Sequence, residues 1–101
     1  MKYQVAKVKD LAPGTMVGAE IAGKKILVAN IGGEFFAMGS VCNHRGGPLE
    51  KGKLAGSVVT CPWHGSRWDV KTGKLVEFAV PLQPEPVFKA SVEGDSVLVE
   101  V

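Results

Sequence analysis

Hydrophobic and β-branched residues fall along this chain in short runs, each closed within a few positions by Gly, Pro, Asn or Asp. Runs of this kind predict strands. The pattern places them at 3–8, 16–21, 25–31, 34–38, 58–60, 67–70, 75–78, 87–92 and 96–101. Asp10-Leu11-Ala12-Pro13-Gly14, Gly23-Lys24, Thr72-Gly73 and Glu93-Gly94-Asp95 read as turns between them. Gly32-Gly33 is a two-residue hairpin signal. No stretch carries a helical period. The expected fold is therefore all-β, about nine short strands in a sandwich or small barrel. No internal repeat or low-complexity tract is visible.

Two segments interrupt the rhythm. Residues 42–66 hold Gly46, Gly47, Gly52, Gly56 and Gly65. Residues 81–86 hold Pro81, Pro84 and Pro86, which donate no backbone hydrogen bond and so exclude a central strand. A stiff extended connection is expected there.

Composition narrows the class. At 101 residues the chain is expected to form one domain, 1–101. Its 46% hydrophobic and 22% charged residues are those of an ordinary globular protein. A formal charge of +2 gives no argument for nucleic acid. No apolar run approaches the ~20 residues of a membrane span, and residues 1–7 do not resemble a signal peptide. The expected setting is the cytoplasm, with no membrane partner.

The rare residues carry the chemistry. Two Cys and two His lie together, as Cys42-Asn43-His44 and, sixteen residues later, Cys61-Pro62-Trp63-His64. Each segment offers one thiolate and one imidazole. Such a set can hold zinc or an iron–sulfur cluster. Zinc fingers usually take two Cys from one loop and two His from a helix, whereas here each loop mixes the types. A Cys42–Cys61 disulfide is a third reading, one disfavoured in the cytosol.

The pattern C-x-H-x16-C-x-x-H resembles that of Rieske [2Fe-2S] proteins, and the whole chain is most similar to the small soluble Rieske-type ferredoxins. Gly46, Pro48-Leu49, Cys61-Pro62-Trp63-His64-Gly65-Ser66, Pro81-Leu82 with Pro84, and Val92-Glu93-Gly94-Asp95 extend the resemblance over nearly the full length. It implies a β-sandwich base with a cluster-binding subdomain at about 41–67. It also implies that Cys42 and Cys61 ligate one iron and His44 and His64 the other. Two ferric ions, two sulfides, two thiolates and neutral imidazoles sum to zero charge, so an added electron is disfavoured less than in an all-thiolate cluster. Potentials of such centres span roughly −150 to +300 mV, and protonation of the imidazoles makes them pH-sensitive.

High-potential relatives carry an interloop disulfide at positions matching Gly47 and Trp63, which is absent here. They also carry Ser and Tyr hydroxyls toward the cluster sulfurs. Ser66 matches the first, while Trp68 stands in place of the second and is read as core packing. One donor kept and one lost imply a potential in the lower or middle range. Gly46, Gly47 and Gly65 would let backbone approach the sulfurs.

The function implied is one-electron transfer between a flavin reductase and a terminal oxygenase, often for aromatic compounds. Both histidines are taken by the cluster, which leaves none for a mononuclear iron site, a nucleophile or a triad. No enzymatic activity of its own is expected, and a monomer is. Arg45, Lys51, Lys53 and Arg67 against Glu50 form a basic rim that would suit an acidic docking surface. The alternative is a small Rieske-like subunit of a reductase such as assimilatory nitrite reductase, many of which lack the four ligands. A zinc-stabilised interaction module is a third class.

Overall fold

The computed structural model describes residues 1–42, 46–63 and 65–101. Its strands are β1 (Lys2–Lys7), β2 (Met16–Ile21), β3 (Lys24–Ile31), β4 (Glu34–Gly39), β5 (Lys53–Ala55), β6 (Val58–Thr60), β7 (Arg67–Asp69), β8 (Leu75–Glu77), β9 (Val87–Glu93) and β10 (Ser96–Glu100). They form two antiparallel sheets, one ordered β1-β10-β9-β4-β3-β2 and the other β5-β6-β7-β8. The expected all-β class holds, and its members' boundaries lie within a residue or two of the sequence reading. Two single 3-10 turns, Val8–Asp10 and Leu49–Lys51, are the helical elements among the described residues.

Strand β5 is a correction. Residues 42–66 were expected to break the strand pattern, yet Lys53–Ala55 pairs with β6 around a tight turn at Gly56, whose φ is 60°. Its three residues, only Leu54 of them turned inward, are too short a signal to separate from a glycine-rich loop.

The continuous run Ile26-Leu27-Val28-Ala29 is explained by the core. Side chains alternate across a strand, and both faces of β3 are buried. Leu27 and Ala29 face one cluster with Met38, Leu49, Val59, Trp68, Val70 and the two cysteines. Ile26 and Val28 face the other with Leu11, Ile21, Ala37, Val97 and Val99. Strand β4 divides its side chains the same way, Phe36 and Met38 to the first cluster, Phe35 and Ala37 to the second. These two strands are the shared wall between the base and the small sheet. The hairpin joining them has φ of 62° at Gly32 and 98° at Gly33, the two left-handed residues of a type I′ turn. Buried Asn30 braces it, accepting from Gly33 N and donating to Leu11 O, each at 2.8 Å.

Residues 81–86 run outside any strand, as their prolines require. Their C-terminal end is held on two sides: Gly39 N donates to Pro86 O at 2.8 Å, and Glu85 N to Gly73 O at 2.7 Å. Leu82 packs against the cluster that contains the cysteines.

Gly73 combines two constraints. Its φ is +75°, and an added Cβ would stand 2.1 Å from the Glu85 carbonyl oxygen. Gly32 has a similar φ with nothing within 4 Å. Gly73→Ala should therefore cost about 3 kcal/mol or more, and Gly32→Ala about 1 kcal/mol, since only the first adds overpacking to backbone strain. Urea unfolding midpoints at unchanged m-value would measure both.

Candidate metal centre

Cys42 and Cys61 each begin a loop leaving a short strand. Strand β4 delivers the first through Ser40 and Val41, and Val41 bridges to Pro48 to close the loop 42–47. Strand β6 delivers the second, and the Thr60–Arg67 pair closes the loop 61–66. The loops have equal length and the same backbone bonds. Gly46 N donates to Cys42 O at 2.8 Å, and Gly65 N to Cys61 O at 3.1 Å. Cys42 N donates to Gly47 O at 2.9 Å, and Cys61 N to Ser66 O at 2.8 Å. Gly46 and Gly65 sit at φ of 75° and 78°, where a side chain would be strained. This is a local structural repeat that the sequence reading missed. Its signal was there as Cys-x-x-x-Gly, written once at 42–46 and again at 61–65.

The repeat brings the loops face to face. The residue after each glycine meets the cysteine of the other loop. Ser66 Oγ lies 3.3 Å from Cys42 Sγ. A Cβ on Gly47 would lie 2.8 Å from Cys61 Sγ and 3.2 Å from the Trp63 ring. Gly47 and Trp63, matched by resemblance to an interloop disulfide, are thus neighbours here. Trp63 is 57% exposed, so it lies between the loops at the surface.

Both cysteines are unbridged and only 3% exposed. Two buried sulfurs with no disulfide, in facing loops of glycine-shaped backbone, suit a soft-ligand metal centre. Among the described residues, no three His, Cys, Asp or Glu side chains converge on a common point. His44 and His64, the other two expected ligands, lie outside the described residues, as does Arg45.

Ser66 is fully buried and its hydroxyl meets sulfur rather than backbone. Trp68 is fully buried, as expected of a core residue, but its indole also hydrogen bonds, Nε1 donating to Ser66 Oγ at 3.0 Å. Sequence reasoning assigned it packing alone. The basic rim needs revision as well. Arg67 pairs with Glu77 at 2.8 Å, which leaves Lys51 and Lys53 as the exposed rim cations without an ion pair among the described residues. These two, with Gly52, Thr60, Cys61 and Pro62, line a groove of about 410 Å³ beside the second loop.

Behind the first loop, Ser40 Oγ donates to the Glu50 carboxylate. The Glu50 side chain lies against Gly18, where a Cβ would come within 2.6 Å of it. That contact ties the Leu49–Lys51 turn to the base sheet.

Residues 1–91 match the Rieske [2Fe-2S] domain model. The chain is 43% identical over 94 residues to the ferredoxin component of biphenyl 2,3-dioxygenase from Rhodococcus jostii, covering 91% of this chain and 85% of that protein. It is 40% identical over 95 residues to human apoptosis-inducing factor 3, covering 94% of this chain but only 16% of that longer protein. Among solved structures it is similar to a chain in the complex of reduced oxygenase and oxidised ferredoxin of carbazole 1,9a-dioxygenase. That match has a TM-score of 0.90 and 30% identity, over 97% of this chain and 91% of the other. The chain belongs to the Rieske [2Fe-2S] domain family, and its cofactor is one Rieske-type [2Fe-2S] cluster.

The facing loops give a direct test. Gly47→Ala should displace the Cys61 sulfur and lower iron and sulfide per chain several-fold, while far-UV circular dichroism stays unchanged, because the strands are not touched. Gly56→Ala, with nothing within 4 Å of its added Cβ, should retain full iron content.

Proposed function

We propose that Cys42 and Cys61 hold one iron of the cluster and His44 and His64 the other, at the tip of the subdomain spanning about 41–67 of a single domain, 1–101. The observation that carries the reading is the pair of facing loops with their two buried, unbridged cysteines. When bound, the cluster supplies a site that accepts and returns one electron. The chain's own residues shape that site. The loop glycines admit close backbone approach, and the core cluster of Leu49, Val59 and Trp68 walls off water from the protein side. Trp63 presents an exposed aromatic surface beside Gly47.

The protein is an electron carrier. We infer that it receives electrons from a flavin reductase and passes them to a terminal oxygenase acting on aromatic compounds. Its similarity to ferredoxins of biphenyl and carbazole dioxygenase systems supports this. We place it in the cytoplasm, because a reducing compartment keeps both cysteines available as thiolates, and take it to be a monomer. No helix among the described residues is long and apolar enough to cross a membrane. Lys51 and Lys53 form the basic part of the docking edge.

Electron paramagnetic resonance tests the ligand assignment. A signal appearing only on dithionite reduction, with the low average g of a mixed His/Cys cluster, is the expected result. Zinc without iron would overturn it. Docking is tested separately. Electron transfer to the oxygenase should slow as salt rises, and the pair Lys51→Glu with Lys53→Glu should raise the KM for the oxygenase roughly tenfold at low salt. A rate indifferent to salt would remove the basic edge from the interface.

A further inference from the structure

We infer that Trp68 is a positioning residue for the redox centre: its indole N–H sets the direction of the Ser66 hydroxyl, and so makes Ser66 a donor to the Cys42 sulfur. The inference rests on the assignment of Cys42 as a ligand.

The argument is one of proton count. A serine hydroxyl carries one hydrogen and two lone pairs. An indole nitrogen can only donate. Trp68 Nε1 lies 3.0 Å from Ser66 Oγ, so the oxygen accepts there. The single hydroxyl hydrogen is then directed elsewhere, and Cys42 Sγ lies within reach at 3.3 Å. A metal-bound thiolate is an acceptor, so the chain runs Trp68 N–H to Ser66 O–H to Cys42 S. All three residues are buried, Ser66 and Trp68 completely, so bulk water does not compete for the hydroxyl. Donation from the indole also polarises the hydroxyl and strengthens its second bond.

The arrangement is one-sided. The position equivalent to Ser66 in the first loop is Gly47, and a Cβ there would stand 2.8 Å from Cys61 Sγ. No side chain fits, so Cys61 has no matching hydroxyl from that position. Strand β7 supplies the asymmetry: its inward residue, Trp68, sits two positions from Ser66 and packs with Val59 and Leu49.

A bond to the thiolate stabilises the reduced state, which carries one more negative charge, so losing it lowers the potential. The experiment compares reduction potentials of the cluster-loaded wild type, Ser66→Ala, Trp68→Phe and the double variant by protein-film voltammetry. Ser66→Ala should lower the reduction equilibrium constant about tenfold, a shift of about 59 mV for one electron. Trp68→Phe should lower it about two- to fivefold. The double variant should match Ser66→Ala alone, because the indole has no hydroxyl left to direct. If Trp68→Phe loosens the core, 3-benzothienylalanine at position 68 keeps the ring shape and replaces only N–H by sulfur. It should reproduce the Trp68→Phe potential. An unchanged potential for that isostere, with Ser66→Ala shifted, overturns the role of Trp68 alone. Additive shifts in the double variant do the same, since they mean Trp68 acts through packing. An unchanged potential in Ser66→Ala overturns the relay, and retention of the cluster in Cys42→Ala would trace the failure to the ligand assignment.

Discussion

The close approach of two loops is the constraint around which this molecule is arranged. Each places its cysteine on the residue that follows the other loop's glycine. At Gly47 the spacing leaves no room even for a methyl group beside the Cys61 sulfur. At Ser66 it leaves room for one hydroxyl against the Cys42 sulfur. Tolerances this narrow hold only if both loops start from rigid supports, and the rest of the fold supplies them.

Those supports are strands with both faces or one face fully packed. Cys42 follows β4, a wall shared by two hydrophobic clusters, and Cys61 follows β6, whose central Val59 is fully buried opposite Trp68. Close-packed interiors transmit displacement instead of absorbing it, so a change in either strand moves a sulfur. The Ser40–Glu50 contact ties the Leu49–Lys51 turn to the base, and the hydrogen bonds of Glu85 and Pro86 tie the small sheet to it. The site is therefore positioned by packing on its inner side, while Trp63 is exposed at its outer edge.

This division suits one-electron transfer. The process needs little motion at the donor and a short path to the acceptor, so a rigid pocket with one exposed edge serves it. The same division explains why the environment of the two sulfurs can differ although their loops share backbone geometry. Ser66, which leads into β7, meets one sulfur, and Trp68 on that strand donates to the Ser66 hydroxyl, an arrangement the first loop does not repeat. The Arg67–Glu77 pair shows the same dependence on the small sheet, with β8 placing a carboxylate beside a cation of the loop's rim.

Local rules made much of this legible from residues alone. Strand positions followed from β-branched runs and turn residues, and the Gly32-Gly33 turn followed from its need for positive φ. The Cys/His spacing marked the two loops as a candidate centre for zinc or an iron–sulfur cluster, and the family resemblance named a [2Fe-2S] cluster. What escaped was set across space. Strand β5 is stable only because β6 pairs with it. The repeat of loop geometry lies in hydrogen bonds, which a spacing of Cys and Gly implies only weakly. The destination of the Trp68 N–H, and which of the two cysteine sulfurs Ser66 meets, depend on how two hairpins pack. Sequence by itself determined which chemistry the chain carries, since donor atoms belong to residues. Tertiary structure alone decided which sulfur receives a hydroxyl and which does not, since that depends on tenths of an ångström between loops that no local preference sets.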